Sequence, residues 1–540
     1  MRIPPGVQQK DFQSAVSQWQ KVVGVEWVFT SEEDVDLYRD AYTPFRHEAK
    51  EIIPSAAVAP DSVDQVQAVM RVANQYHIPV YPVSTGRNLG YGGSAPVLSG
   101  SVVLDLKRMN RILEVNERNA YALVEPGVSY FDLYRYIQEK GYKLWIDVPA
   151  PGWGSLVGNS LDHGAGYTAN PHRDHFDCHC GMEVVLANGD LVRTGMGALP
   201  GAETWQEFKY GFGPTVDGLF AQSNFGVVTK MGFWLYPEPE AYFDATVSVP
   251  RFHDVIPLVD VIANLIYGNV LNSNTIMESP MRVATLNNQT INELFLHTDQ
   301  PEAVRKLDEY AARNKLAFWT DRLKFYGPEA VVKAQWEHAK KKFSEIPGVS
   351  FQDGKFLRFP LSQEQIDNLR DKENIGVPSL EAFRDGARSP ANPTPNIGHL
   401  GFSPVIPMTG EAVIESQRVI AQALVDLGAT PAFNTLPNSY HTRDFVILIG
   451  FSIMDDVEVN RKSREVFRRL IKIAGEHGWG EYRTHTAFMD DVAEVYSFNN
   501  HALRRLHETL KDAIDPNGII SAGRYGIWPR HLRGKDGSRA

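Results

Sequence analysis

The stretch Ser84-Thr85-Gly86-Arg87-Asn88-Leu89-Gly90-Tyr91-Gly92-Gly93 is the part of the chain that indicates its fold class. Four glycines fall within its last eight residues, and glycine lets backbone N–H groups converge on an anion without obstruction by a Cβ atom. His77–Val80 leads into a predicted strand just before it, and a loop that follows a strand is a common pyrophosphate site. The glycine spacing is not the Rossmann pattern, and an ordinary cluster of turns remains the alternative.

Further glycine-rich segments favour a cofactor site over a cluster of turns. Gly152–Ser160 is followed closely by Gly164-Ala165-Gly166-Tyr167, and Asn224–Lys230 lies later in the chain. Several such segments in one domain can hold an extended dinucleotide along its length, and the last of them can close over its other end. The sequence therefore predicts a dinucleotide-binding domain in the first half of the chain.

Helical and strand-like patterns alternate in this first half. Asp61–Tyr76 predicts an amphipathic helix that begins with capping-box spacing, and Tyr130–Glu139 predicts another helix. Short strands are predicted at Val102–Leu106, Tyr121–Val124 and Met182–Leu186. This mixture of elements indicates an α+β protein.

The second half begins at a change of composition. Tyr236–Pro239 predicts a linker, and Glu329–Phe343 predicts a helix in the region that follows. Phe445–Ile449 predicts a strand. A last helix is predicted through Leu503–Ile514, and it ends at Asp515-Pro516-Asn517-Gly518.

The composition excludes several classes of function. A net charge of -11 argues against a general nucleic-acid binder, because phosphate recognition needs concentrated Lys and Arg. No apolar run approaches the ~18 residues that span a bilayer, and the N-terminus lacks the apolar core of a secretory signal. With two cysteines, Cys178 and Cys180, a reducing intracellular and cytoplasmic setting is the simplest interpretation. The final Ser538-Arg539-Ala540 matches a peroxisomal signal only weakly, since its last residue is Ala.

Motifs along nearly the whole chain resemble the vanillyl-alcohol oxidase family of flavoproteins, least so from about residue 250 to 390. The matching segments are Gly86–Gly93, Gly152–Tyr167, Glu183–Gly189, Arg193–Pro200, Tyr210–Pro214, Thr229–Gly232, Gly480–His485, Asp515–Ile520 and Gly523–Pro529. The resemblance implies a two-domain fold of that family. Residues 1–243 and 481–540 are expected to form the FAD-binding domain, and residues 244–480 an inserted cap domain over the substrate.

The resemblance also implies a set of FAD contacts and a homo-oligomer of two or more chains. The expected contacts are Ser84, Thr85, Gly86, Arg87, Asn88, Leu89, Gly90, Gly154, Ser155, Gly158, Asn159, Gly166, Tyr167, Gly226, Val227, Val228 and Arg524.

His399 is the expected covalent attachment point for FAD. It lies in Asn396–Pro404, which resembles the family motif whose histidine is bonded to the flavin. Neutral imidazole is a competent nucleophile, although a lone histidine beside a glycine is more often a core residue. Some members carry a tyrosine for this link, so a histidine favours the oxidases of the family. His47 is either a helper that activates His399 or, more simply, a surface residue.

Tyr91, Tyr482 and Arg483 match the family's phenol-binding trio. Hydride leaves a benzylic carbon far more easily when the para oxygen is a phenolate, which can push electrons into the ring. A buried phenolate needs hydrogen-bond donors and a positive charge, and two hydroxyls with one guanidinium supply both. Taken singly, each residue could equally be a packed aromatic or part of an ion pair.

Asp174 is expected to act as an acid/base group near the flavin, because the family has an acidic residue before His-Phe or His-Trp. Its loop departs from the family pattern, since the usual Pro-Tyr-Gly is missing and the loop is about two residues longer. The cap segment Asn438–Arg443 departs as well, because relatives tend to have Met-His-His there. The His and Cys residues of His172–Cys180 match no zinc spacing, so no metal is predicted.

These residues together predict an FAD-dependent oxidase of para-substituted phenols. The resemblance implies hydride transfer from a 4-hydroxybenzylic alcohol, a 4-alkylphenol or an allylphenol, which leaves a quinone methide, with oxygen reduced to hydrogen peroxide. One alternative is a dehydrogenase that passes electrons to a cytochrome-type partner. Another is a flavin-bearing protein without phenol turnover.

Overall fold

The glycine loop emerges from a four-stranded sheet near the N-terminus. A computed structural model describes residues 2–169, 172–281, 288–381, 397–430 and 436–534. The strands of this first sheet stand in the order Val28–Phe29, Ala57–Val58, Val102–Asp105 and Val80–Val83. The last three strands run parallel, which brings their carboxyl ends, and the glycine loop, to one edge of the sheet.

The predicted amphipathic helix spans Val63–Gln75 and buries Val66, Val69 and Ala73. Its predicted capping box is not formed, because the side chain of Ser62 makes no cap hydrogen bond and Gln65 instead accepts the N–H of Asp61. The helix therefore forms as the apolar spacing predicted, although its cap hydrogen bonds are missing.

A five-stranded antiparallel sheet follows. Its order is Ile112–Asn116, Tyr121–Val124, Val227–Trp234, His179–Val185 and Leu191–Arg193. The predicted helix after Tyr121–Val124 spans Tyr130–Lys140 and buries its Tyr130, Leu133 and Ile137 face.

The chain then enters a third sheet. Tyr236–Pro237, within the predicted linker, pairs with Leu144–Trp145, and the strand Ala241–Val249 follows directly. The third sheet is antiparallel in the order Met277–Glu278, Trp319–Gly327, Ala241–Val249 and Ser350–Arg358. The chain passes from one sheet to the next at about residue 240, and the inserted cap with its boundaries at 243 and 480 stays a prediction.

Two short strand pairs carry the residues of most interest in the middle region. Gly398–Phe402 pairs with Ile449–Ile453, and Val405–Pro407 pairs with Asp444–Val446, so the predicted Phe445–Ile449 strand is two strands. The α-helices of the described residues are Gln9–Val23, Glu32–Asp36, Val63–Gln75, Tyr130–Lys140, Leu156–Leu161, Val255–Tyr267, Gln289–Leu296, Pro301–Arg313, Glu329–Phe343, Gln363–Asp367, Gly410–Asp426, Val457–Glu476, Met489–Val495 and Phe498–Ile514.

The C-terminal segment returns to the first sheet. The N–H of Val80 donates to the carbonyl of Ile519 at 2.7 Å, and the N–H of Ser521 donates back to Val80 at 2.8 Å. Ile519 and Ile520 lie in the same apolar core as Val80. The C-terminal segment therefore packs into the same core as the first sheet, and the structure confirms the predicted α+β class.

Candidate active site

A cavity of about 980 Å³ lies where the glycine loop, the strand Gly398–Phe402 and the C-terminal segment meet. It is lined by the predicted residues Ser84, Thr85, Gly86, Arg87, Asn88, Leu89, Tyr91, Gly154, Ser155, Gly158, Asn159, Tyr167, Gly226, Val227, Val228, His399, Tyr482, Arg483 and Arg524. Three predicted residues, Gly90, Gly166 and Asp174, are not part of its wall. The cavity is large enough for a cofactor and a small substrate side by side.

The glycine loop has the shape of a phosphate site. Gly86 and Gly90 have φ angles of +65° and +82°, in the left-handed region that favours glycine. Within the described chain, no backbone N–H from Gly86 to Leu89 donates a hydrogen bond to another backbone group. Because these residues line the cavity, the loop keeps donors for a ligand's phosphate oxygens.

The second glycine segment packs against this loop. Ser155 Oγ accepts the N–H of Gly158 at 3.1 Å, and a Cβ atom at Gly158 would collide with Ser84 Oγ. Glycine at position 158 therefore allows the two cavity-lining segments to approach each other. Gly166 has a packing role instead of a cavity role, because a Cβ there would collide with the carboxylate of Asp147.

An ion pair that the sequence did not predict lies in the cavity wall. Arg524 Nη2 is 2.7 Å from Asp162 Oδ1, and Asn88 Nδ2 donates to Asp162 Oδ2 at 2.7 Å. Burial raises the pKa of Asp162, but Arg524 and the Tyr525 hydroxyl outweigh burial and lower it. Asp162 therefore stays ionised and ties the glycine loop to the C-terminal segment.

His399 projects from the strand Gly398–Phe402 into the cavity. Its ring centroid lies 5.2 Å from that of Tyr42, in an edge-to-face arrangement. A Cβ atom on Gly90 would lie 3.1 Å from the carbonyl oxygen of His399 and 3.4 Å from its ring. Burial lowers the pKa of His399, so the imidazole is neutral and nucleophilic at physiological pH.

His47 is a surface residue and does not assist His399 in this structure. Its Nε2 lies 2.7 Å from Asp455 Oδ1, and both side chains are more than half exposed. This agrees with the simpler of the two interpretations.

The structure brings Tyr91, Tyr482 and Arg483 together. The guanidinium carbon of Arg483 lies 4.2 Å from the ring centroid of Tyr91 and 5.2 Å from that of Tyr482. Among the described residues, Arg483 has no ion-pair partner, and its buried Nε has no hydrogen-bond partner. Burial disfavours the charge, but the two tyrosines and Asp162 outweigh it and raise the pKa of Arg483. The result is a permanent, partly buried cation with unused hydrogen-bonding capacity.

The two tyrosines of this trio differ in their present contacts. The hydroxyl of Tyr482 donates to the backbone carbonyl of His163. The Tyr91 hydroxyl interacts with Arg483 instead. A bound anion would therefore meet Arg483 and Tyr91 first, and Tyr482 would reach it after turning away from His163.

Asp174 does not reach the cavity. Its Oδ2 lies 3.3 Å from Nε2 of His441, and its Oδ1 accepts the N–H of Asp177. Burial raises the pKa of Asp174, but these partners outweigh burial and lower it to about 2. The acid/base role of Asp174 stays a prediction, because in this structure its carboxylate contacts His441 and does not form part of the cavity wall.

Sequence reasoning missed a number of residues of the cavity wall, among them the polar or aromatic Tyr42, Asp162, Gln222 and Tyr440. Asp162 could have been found from sequence, since it is a charged residue between the glycine-rich segments Gly152–Ser160 and Gly164–Tyr167. Tyr440 lies in the cap segment that departs from the family pattern, but its direction could not be read from sequence. Tyr42 and Gln222 carry no motif.

The residues that line the cavity are suited to hold FAD. It combines a loop with unused N–H donors, a neutral histidine and the Arg524 cation within one enclosure. No cluster of three or more possible metal ligands occurs among the described residues, and the buried Cys178 and Cys180 are not joined in a disulfide. No helix in the described ranges is long and apolar enough to cross a membrane. The Ser538-Arg539-Ala540 signal lies outside the described residues.

Comparison with known proteins gives concordant results. Residues 54–195 match the model of an FAD binding domain. The chain is 34% identical to the 4-cresol dehydrogenase [hydroxylating] flavoprotein subunit of Pseudomonas putida, over 97% of each chain.

Two solved structures share the fold over nearly their whole length. The 4-ethylphenol oxidase of Gulosibacter chungangensis matches with a TM-score of 0.80 and 34% identity, over 98% of this chain and 100% of that one. A p-cresol methylhydroxylase structure with bound substrate matches with a TM-score of 0.80 and 32% identity, over 97% and 99%.

Proposed function

We propose, from the premise that the chain belongs to the vanillyl-alcohol oxidase family of FAD-dependent oxidoreductases, that it oxidises small para-substituted phenols at the side-chain carbon. The relatives named above act on 4-cresol and 4-ethylphenol, so a 4-alkylphenol is the first substrate to consider. The 4-hydroxybenzylic alcohols and allylphenols belong to the same proposal, because each has a reactive carbon para to a phenolic oxygen.

The environment of Arg483 is the single observation that carries this proposal. Arg483 is a partly buried cation between two tyrosine rings, its enclosed Nε has no hydrogen-bond partner, and no carboxylate in the described residues forms an ion pair with it. An enclosed charged N–H group without a partner is costly, so the arrangement is best explained by an anionic ligand that completes it. A phenolate fits, because it is flat enough to lie against the tyrosines and carries its charge on one oxygen.

The residues of the site and the cofactor have separate roles in the proposed reaction. Arg483 and Tyr91 hold the substrate as a phenolate, which releases electron density toward the para carbon. When FAD is bound, it supplies the acceptor for the hydride that leaves this carbon. Loss of hydride leaves a quinone methide, and addition of water or tautomerisation gives the product.

His399 is proposed as the covalent anchor of FAD. Its imidazole is neutral and faces the cavity, Tyr42 packs edge-to-face against it, and the missing Cβ at Gly90 leaves room for it. The loop Ser84–Leu89 and Arg524 are proposed to hold the rest of the cofactor.

Molecular oxygen is the proposed final electron acceptor, with hydrogen peroxide as its product. The histidine at position 399 favours this acceptor, since the sequence resemblance associates histidine with the oxidases of the family. The second candidate is transfer to a cytochrome-type partner, which is favoured by the match to a protein named a dehydrogenase at the same identity.

The test is to mix the FAD-loaded protein with 4-ethylphenol without air and to follow the flavin absorbance. We expect the phenol to bleach the flavin, and 4-ethylanisole, whose oxygen is methylated and cannot ionise, to leave it unchanged. Air should then restore the colour with release of one peroxide per turnover.

Three other outcomes would change the assignment. Bleaching without reoxidation by air would favour the cytochrome-type acceptor. Spectral perturbation without bleaching by 4-ethylphenol, eugenol or vanillyl alcohol would point to a binding protein. Equal bleaching by the phenol and its methyl ether would remove the phenolate from the mechanism.

A further inference from the structure

The segment Asn438–Arg443 forms a tight loop that reaches the cavity. Its base is fixed, because the N–H groups of Asn438 and Val446 each donate to the carbonyl of the other at 2.9 Å. Ser439 makes two hydrogen bonds to Thr275. Its N–H donates to the Thr275 carbonyl at 3.1 Å, and its Oγ accepts the Thr275 N–H at 2.8 Å. The backbone just before Tyr440 is therefore held rigidly by these hydrogen bonds.

Tyr440 forms part of the cavity wall beside the phenol-binding trio. Its side chain is almost fully buried, and its ring centroid lies 6.5 Å from that of Tyr482, with the two rings tilted by only 28°. On the other side its centroid lies 6.2 Å from that of Tyr167. A substrate ring held at Arg483 has Tyr440 as a neighbour, so the size of this side chain limits what fits there.

The tip of the loop is held from the opposite side by two residues of the first half of the chain. Arg173, which is fully buried, donates from Nε to the carbonyl of Tyr440 at 2.9 Å and from Nη2 to the carbonyl of His441 at 3.2 Å. Asp174 Oδ2 lies 3.3 Å from His441 Nε2. We call this set, Arg173, Asp174 and His441, the latch.

His441 and Asp174 of the latch carry opposite charges, which favour a lasting ion pair over proton transfer between them. Asp444 Oδ1 lies 3.3 Å from the second ring nitrogen of His441, so the imidazole stands between two carboxylates. Burial lowers the pKa of His441, but Asp174 and Asp444 outweigh burial and raise it to about 10. At neutral pH the imidazolium and the Asp174 carboxylate both keep their charges.

We propose that the latch residues are positioning residues that hold Tyr440 as the specificity-determining wall of the phenol pocket, which therefore selects compact para substituents. The proposal rests on the proposed function. It also explains why the two segments that depart from the family pattern, the loop around Asp174 and the loop around Tyr440, are in contact with each other.

Two kinds of variant test the proposal in the FAD-loaded protein. For the wall, Tyr440→Leu should raise the kcat/KM ratio of 4-butylphenol to 4-ethylphenol by roughly tenfold, because removal of one ring frees space for the longer chain. Tyr440→Phe is the matched control, since it keeps the ring and should keep the ratio.

For the latch, Asp174→Asn and His441→Gln should each raise KM for 4-ethylphenol roughly tenfold and change kcat less. The double variant should be no worse than either single variant, because both remove the same ion pair. A loss of kcat of roughly 10²-fold or more in Asp174→Asn, with His441→Gln unaffected, would overturn the latch and restore the acid/base role of Asp174.

A stability measurement keeps the latch testable if a kinetic variant is poorly active. His441 has a raised pKa in the folded chain, so its contribution to stability is complete below its unfolded pKa of about 6.5 and is lost as pH rises toward about 10. Asp174, Asp444, His163 and Tyr482 are the groups that face it. The Tm difference between wild type and His441→Gln should therefore shrink between those two pH values, and a difference independent of pH would overturn the ion pair.

Failure of this inference is distinguishable from failure of the proposed function. If wild type does not reduce its flavin with any phenol, the proposed function is wrong. If wild type does so and Tyr440→Leu keeps the same ratio between the two phenols, only the role of Tyr440 is wrong.

Discussion

The protonation state of His399 determines what it can do in the cavity. Burial favours the neutral imidazole, and no charged side chain among the described residues opposes that effect. The sequence motif located this residue, but its environment could not be derived from sequence because Tyr42 lies more than 350 positions away in the chain. His47, the other histidine considered, is tied to Asp455 at the surface.

Replacement of His399 by Gln should leave FAD bound without a covalent bond, because the amide is not a nucleophile toward the flavin. After acid precipitation, the wild-type pellet should be yellow, and the His399→Gln pellet should be colourless with FAD in the supernatant. His47→Gln is the matched control and should stay yellow. A yellow His399→Gln pellet would place the attachment on another residue.

Gly90 shows how one residue of the glycine loop can serve the site without lining the cavity. Gly90 was predicted to contact FAD, yet the structure places it behind the wall, against His399. The glycine content predicted the loop correctly, since positive φ angles at Gly86 and Gly90 require it. Which glycine faces the ligand and which faces the protein depends on packing, and sequence spacing carries no information on that.

Substitution of Gly90 by Ala should slow covalent FAD incorporation by roughly tenfold, equivalent to about 1.4 kcal/mol, because a φ of +82° is strained for alanine and its Cβ would press on His399. The measurement is the time course of protein-bound flavin after FAD is added to the cofactor-free chain. Gly218→Ala is the control, since a Cβ there meets no atom within 4 Å. Equal rates for the two variants would contradict the proposed orientation of His399 by Gly90.

Helices and strands were predicted best where periodicity is strong. The helix Glu329–Phe343 and the strand Tyr121–Val124 have the predicted bounds. The linker at Tyr236–Pro239 was wrong in part, because Tyr236–Pro237 finds a strand partner at Leu144–Trp145. Such a pairing joins distant parts of the chain, which proline and glutamate content cannot reveal.

The whole molecule assembles its site from segments that lie far apart in sequence. The glycine loop, the strand with His399 and the pair Tyr482-Arg483 meet at one cavity only because the C-terminal segment returns to the first sheet through Val80 and Ile519. The family motifs predicted that meeting. They did not predict that Asp174 would turn away toward His441, because the two segments involved are the ones that depart from the motifs.

The most direct measurement is the absorbance of 4-nitrophenol bound to the FAD-loaded protein, at a pH about one unit below the pKa of the ligand in water. We expect the bound ligand to show the phenolate band, because Arg483 stabilises the anion, and we expect Arg483→Gln to lose both this band and roughly 10²- to 10³-fold in kcat/KM for 4-ethylphenol. Arg313→Gln, on the surface, should behave as wild type. A bound ligand that stays a neutral phenol in wild type, or an Arg483→Gln variant that still shows the phenolate band, would contradict the proposed phenolate site.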